Sequence, residues 1–237
     1  MSRLLRFHRM AFAVLTIAGA SALATDSFDA APLDGLPAGW SPAKTVAGEG
    51  SEWKVLEDQT SPHGSKVLTQ VSSSGPSGLF NLCVSRDPVF ADVDLAVSLK
   101  PMSGTIDQGG GVVWHYQDSN NYYLARWNPL EGNFRLYKVV DGKRSQIGDT
   151  VRLDGSVGEW HSIHVLQCGP DISCFFDGTQ YFDVSDETLP KAGRCGLWSK
   201  ADAVTEFTAP EVSSLSAEPD RRMPNLRGLR FSDIAAK

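Results

Sequence analysis

The chain has 237 residues, 41% hydrophobic and 21% charged, with a formal net charge of −6 at pH 7. That balance repels phosphate backbones and argues against nucleic acid as a partner. The four cysteines stand without Cys-x-x-Cys or paired-histidine spacing, so no zinc site is expected.

Arg3, Arg6 and Arg9 precede an apolar run at 11–20 and the small-x-small motif Ala22-Leu23-Ala24. These are the parts of a secretory signal peptide, residues 1–24, cleaved after Ala24. The apolar run is shorter than the ~20 residues that a spanning helix needs. No cysteine follows it to carry a lipid, and the rest of the chain has no second long apolar segment. The mature protein is therefore expected to be exported, periplasmic or secreted, with no membrane span. Losing the three arginines takes the formal charge from −6 to −9. The tail after Ser214 holds Arg221, Arg222, Arg227, Arg230 and Lys237 against Glu218, Asp220 and Asp233, which leaves the part between near −11. That part, residues 25–213, is about 190 residues long and fits one all-β domain.

Residues 25–61 are rich in Pro, Gly and Asp and read as loop, apart from the short strand EWKVLED. Short strands follow at 66–71 and 79–84, split by the Ser/Gly/Pro loop 72–78. In 92–100 Val93, Leu95, Val97 and Leu99 take one face and Asp94, Ala96, Ser98 and Lys100 the other, a strand with one buried and one solvated side. Residues 109–140, GGGVVWHYQDSNNYYLARWNPLEGNFRLYKVV, form three apolar-rich runs joined by polar turns at 117–121 and 129–133, the pattern of an antiparallel meander. Within it Tyr123, Ala125 and Trp127 share one face while Tyr122, Leu124, Arg126 and Asn128 share the other. The run 160–167 sets Trp160, Ser162, His164 and Leu166 against His161, Ile163, Val165 and Gln167. Asp177-Gly178, between Phe175-Phe176 and Tyr181-Phe182, is a hairpin turn. Strands at 194–199 and 204–212 end the fold, with an edge or a break at Pro210. No helical period persists beyond a short turn at 186–189. The basic tail, 214–237, is expected to be poorly ordered or draped on the surface, with a docking peptide as the alternative.

Cys168 and Cys174 flank Gly169-Pro170-Asp171-Ile172-Ser173, and a hairpin centred on Asp171 would set them opposite one another for a disulfide. Cys83 and Cys195 would form a second pair, or pack as buried thiols.

The pattern from DQGGGVVWHYQDSNNYYLARWNPLEGNFRLYKVVDGKR to EWHSIHV, FFDG and GLWSKADAVTEF resembles the concanavalin A-like lectin/glucanase jelly rolls, in the bacterial branch classed with 3-keto-disaccharide hydrolase or laminin G-like domains. The resemblance covers residues 26–213. It implies an all-β sandwich of two antiparallel sheets, with Ser27, Phe28 and Asp29 lying beside residues 205–212. It also implies a structural calcium held by acidic side chains, for which Asp26, Asp29 and Glu206 are available. Phe207-Thr208-Ala209 stands where relatives carry acidic residues, so no cofactor is required.

The Glu-x-Asp-x-x-Glu run of the superfamily's glucanases is absent, and glycosidases of the ordinary kind need two carboxyl groups across the scissile bond. The meander instead gathers Asp107, Gln108, His115, Arg126, Asn128, Glu131, Asn133 and Lys138 among aromatic rings, a set suited to a polyhydroxylated ligand. Arg126 and Asn128 would bind hydroxyls, with Gln108 and Lys138 beside them, and Trp114 or Trp198 would serve as a sugar platform. Glu131 would act as acid or base and His115 as a proton carrier. Asp118, Asn120, Asn121, Glu131 and Asn133 are equally the residues that turns contain. The expected partner is a glycan or small saccharide bound by a monomer. The resemblance adds cleavage of 3-keto-glycosides, and a non-enzymatic laminin G-like module of the cell envelope is the alternative.

Overall fold

The computed structural model describes residues 27–215, so the proposed leader and all but the first two residues of the tail lie outside the described residues. The fold there is fifteen strands with no helix. In chain order they are β1 Trp40–Thr45, β2 Trp53–Glu57, β3 Lys66–Gln70, β4 Phe80–Ser85, β5 Val93–Ser103, β6 Gly110–Asp118, β7 Asn121–Asn128, β8 Asn133–Val140, β9 Lys143–Arg152, β10 His161–Cys168, β11 Asp171–Phe176, β12 Thr179–Ser185, β13 Arg194–Lys200, β14 Val204–Phe207 and β15 Glu211–Ser214. One sheet runs β1-β4-β13-β6-β7-β8-β9. The other runs β12-β11-β10-β5-β14-β3-β2, and β15 adds to β5 beyond the end of β14. All pairings are antiparallel, and the two sheets stack as a β-sandwich, the jelly-roll class expected from the sequence.

The core lies between the sheets because alternation sends one set of side chains inward from each strand. Val93, Leu95, Val97 and Leu99 of β5 pack there against Tyr123, Ala125 and Trp127 of β7 and Phe134 and Leu136 of β8, as their parity requires. Trp127, near the end of β7, is buried there with its ring 4.5 Å from His161 and 5.1 Å from Phe176.

Several expectations are corrected. Ser27, Phe28 and Asp29 form no strand beside residues 205–212; the first strand, β1, pairs with β4. Residues 186–189 are extended loop with one bend. The β10–β11 turn is Gly169-Pro170, with Cys168 opposite Asp171, so Cys174 faces Val165. Cys168 then points outward and Cys174 into the core, and all four cysteines are free. Cys83 and Cys195 are buried between the sheets as small apolar groups. Lys100 is not solvated: it is buried between Asp58 and Glu206 (Nζ to Glu206 Oε2 2.7 Å), with Trp160 5.1 Å away. Pro210 does fall in the break between β14 and β15.

Candidate functional site on the concave sheet face

A second apolar cluster lies on the other side of the seven-stranded sheet: Phe80, Leu82, Val84, Val113, Tyr122, Leu124, Tyr137, Val139 and Trp198. A sheet face turned away from its partner sheet is buried only if the sheet curls over it. Thr45 on the edge strand β1 bonds the Ser119 carbonyl and, at 2.7 Å, the Tyr122 hydroxyl, four strands away in the sheet. From the opposite edge, the Arg144 guanidinium of β9 lies 4.9 Å over the Phe80 ring of β4. The face is therefore concave, with β1 reaching across to β7 and the Arg144 side chain of β9 reaching across to β4.

Register gives the floor. Trp198, Gly111, Arg126 and Arg135 pair in one row across β13, β6, β7 and β8, and directly paired residues share a face. Gly111 has no side chain for a reason: a Cβ there would meet the Ala125 carbonyl at 2.1 Å and the Arg126 Cβ at 2.8 Å. Arg126 fills that space and is 2% exposed.

Its guanidinium donates to Glu131 Oε2 at 2.8 Å. Glu131 is also held by the Asn133 amide at 3.1 Å and by Arg135 at 3.4 Å, while its backbone N–H donates to the Asn128 side chain. The Asn128 amide donates to Asp107 Oδ1 at 2.8 Å, and Asp107 Oδ2 accepts from Lys200 at 2.6 Å. One connected polar network thus runs along the rim. Burial would raise the Glu131 carboxyl, but bonds from Arg126 and Asn133 and the charge of Arg135 hold it down at about 2. Burial pushes Asp107 up against the pull of Lys200. Burial also lowers Arg144, and the like charge of Arg126 adds to that.

Three buried donors on this face, Arg126 Nη1, Arg144 Nη1 and Trp198 Nε1, make no well-formed hydrogen bond, although the Tyr137 hydroxyl lies near Arg126 and the Tyr122 hydroxyl near Trp198. The guanidinium carbons of Arg126 and Arg144 lie 5.8 and 4.3 Å from the Tyr137 ring centroid, and the Trp198 ring lies 5.4 Å from Phe80. Poorly satisfied buried donors carry a desolvation cost that an incoming acceptor oxygen would relieve.

The residues singled out from the sequence divide. Arg126, Asn128, Glu131 and Trp198 come together on the concave face or its rim. Gln108 lies in the loop before β6, half-buried, donating to the Gly104 carbonyl at 2.8 Å. Trp114 is wholly buried between the sheets, its indole bonded to Gln167, so it offers no sugar platform. His115 is enclosed, with Nδ1 2.8 Å from the Leu189 carbonyl and Nε2 3.0 Å from the Ala91 carbonyl, at the far end of β6 from the Gly111–Arg126 row. Lys138 pairs with Tyr123 on the inward side and bonds Asp186 and Thr188, away from Arg126. Of the donors considered for calcium, Asp29 is capped by the N–H groups of Ser65 and Lys66, Glu206 is paired with Lys100, and Asp26 lies outside the described residues. Arg144, Tyr137 and Lys200 were not anticipated, although Asp141-Gly142 is the hairpin signal that adds β9 and brings Arg144.

No protein-family model and no curated protein matches the chain. Solved structures do. A carbohydrate-binding module, CBM66 from Bacillus subtilis, is similar with a TM-score of 0.56 at 17% identity, over 73% of this chain and 95% of that one. The cellulose-induced protein Cip1 is similar with a TM-score of 0.55 at 10% identity, over 80% and 97%. A mutant of the GH43 protein BlXynB from Bacillus licheniformis has a TM-score of 0.50 at 13% identity, over 69% of this chain and 37% of that one. At these identities the likeness establishes the fold, a jelly-roll β-sandwich.

Proposed function

We propose that this protein binds a saccharide in the concave face of its seven-stranded sheet. The observation that carries the reading is the set of poorly satisfied buried donors, Arg126 Nη1, Arg144 Nη1 and Trp198 Nε1, framed by the rings of Phe80, Tyr122, Tyr137 and Trp198. Rings cover apolar sugar faces, and fixed donors select hydroxyl oxygens. Solved proteins that share the fold, a carbohydrate-binding module and a cellulose-induced protein among them, support the reading by fold analogy.

Binding without cleavage is the form favoured. Glu131 is held ionised by three donors, which makes it a poor proton donor near neutral pH, and His115 is too far along β6 to serve it. Cleavage of 3-keto-glycosides is the finer alternative, and turnover of 3-keto-disaccharides abolished by Glu131→Gln would establish it. A laminin G-like protein-binding module is less favoured, since a concave face with converging polar groups suits a small ligand better than a protein surface.

The test is titration of the purified chain with a panel of neutral and acidic oligosaccharides, repeated with Arg126→Gln. Loss of one charge-assisted hydrogen bond, about 1.5–3 kcal/mol, is expected to weaken binding at least about tenfold. Unchanged affinity in a folded variant would remove Arg126 from the site. Export belongs to the same proposal: the protein recovered outside the cytoplasm is expected to begin at Thr25, and an intact Met1 terminus would contradict it.

A further inference from the structure

Resting on that reading of the site, we infer that the saccharide held there is acidic, carrying a carboxylate recognised by Arg144 together with Arg126. The charge around the face points this way. Arg126, Arg135, Arg144 and Lys200 gather at this face, and the carboxylates bonded to them are Glu131 and Asp107, in a chain whose net charge is −6. Glu131 is shared by Arg126 and Arg135, and Asp107 is taken by Lys200.

Arg144 is left over. Among the described residues its guanidinium has no carboxylate partner; it lies over the rings of Phe80 and Tyr137, and its Nη1 is buried and unbonded. Arg126 commits one amino nitrogen to Glu131, and its Nη1 makes no well-formed hydrogen bond. Arg144 is half-buried, and a cation held there without a counter-ion is poorly compensated; a neutral sugar would fill the donors while leaving the charge uncompensated. A carboxylate supplies both the charge and two coplanar oxygens that match a guanidinium fork. The rings beneath the arginines leave the apolar sugar face its own partner. Long-range attraction cannot draw an anion to an acidic protein, so these local cations have to supply the preference.

The experiment compares matched ligands by titration of the full chain: trigalacturonate against its methyl ester, and a glucuronate-substituted xylo-oligosaccharide against the unsubstituted one. The free carboxylate is expected to bind about tenfold or more tightly, as one charge-assisted contact allows. That preference is expected to shrink between about 50 mM and about 500 mM salt. Arg144→Gln is expected to abolish the preference, and Arg144→Lys to restore part of it. Equal affinities within each pair, or a preference that Arg144→Gln leaves intact, would overturn the acidic assignment while glycan binding itself stood. A sulfated oligosaccharide bound in place of the uronates would likewise overturn the carboxylate. No binding of any member, neutral or acidic, would overturn both this inference and the reading beneath it. If Arg144→Gln fails to fold, the ester comparison and salt dependence of the unaltered protein decide.

Discussion

Glu131 shows how far a residue type alone misleads. A carboxylate beside an arginine, an amide and aromatic rings looks like an acid–base group, yet three donors converge on its Oε2 and hold it at about 2. It is a counter-ion that positions Arg126. A carboxyl whose folded value is depressed stabilises the fold above its unfolded value of 4.5 and loses that contribution as pH falls towards 2. Asp186, also held at about 2 against an ordinary 3.8, acts with the same sign through Lys138 and Thr188. Stability in urea is accordingly expected to fall between pH 5 and pH 2. Glu131 is substantially exposed, so its own share is about 1 kcal/mol after screening, and Glu131→Gln is expected to flatten the slope by that much. A pH profile unaltered by the variant would contradict the pairing. At this scale the faces of Arg126 and Asn128 were legible because β7 alternates cleanly. The role of Trp114 was not, because parity says which residues share a face and not which face is inward. Lys100 misled for the opposite reason, since nothing in DVDLAVSLK shows that Asp58, Thr60 and Trp160 cover the outward side.

The hairpins carry the same lesson between strands. Asp177-Gly178, with φ of 47° and 75°, forms the two-residue turn that its sequence signals. Asp141-Gly142, with φ of 50° and 74°, does the same and adds β9, whose exposed residues show no alternation to betray a strand. Without β9 there is no Arg144 on the concave face. Around Cys168 and Cys174 the turn is Gly169-Pro170, and that shift of centre moves the two sulfurs to opposite faces of the hairpin. Their chemistry follows from burial. Burial pushes the Cys83 and Cys195 thiols to about 12 and raises Cys174 as well; Cys168 is also raised, by burial and by the nearby Asp92 and Asp171, but it alone of the four is partly exposed to a reagent. The thiolate is the reactive form. The native protein is thus expected to titrate one thiol with a disulfide reagent, and all four after denaturation. No free thiol in the denatured, unreduced protein would mean that the cysteines are bridged.

For the whole molecule, composition and strand spacing disclosed a two-sheet sandwich because each strand carries its own alternation, a local signal. The concavity was not disclosed, because it rests on contacts between residues far apart in sequence: Thr45 with Tyr122, and Phe80 with Arg144. It is this curl that converts an outward sheet face into an enclosed one and leaves the donors of Arg126, Arg144 and Trp198 facing inward. The central claim is that a saccharide occupies that space, and the indole N–H of Trp198 reports on it directly. We would follow the tryptophan indole signals of the full-length protein by nitrogen–proton NMR during titration with acidic and neutral oligosaccharides. Trp198 Nε1–H is expected to shift as it gains an acceptor, while Trp160, on the outer side of the other sheet, stays unchanged. Saturable binding that moves Trp160 and leaves Trp198 in place would contradict the account.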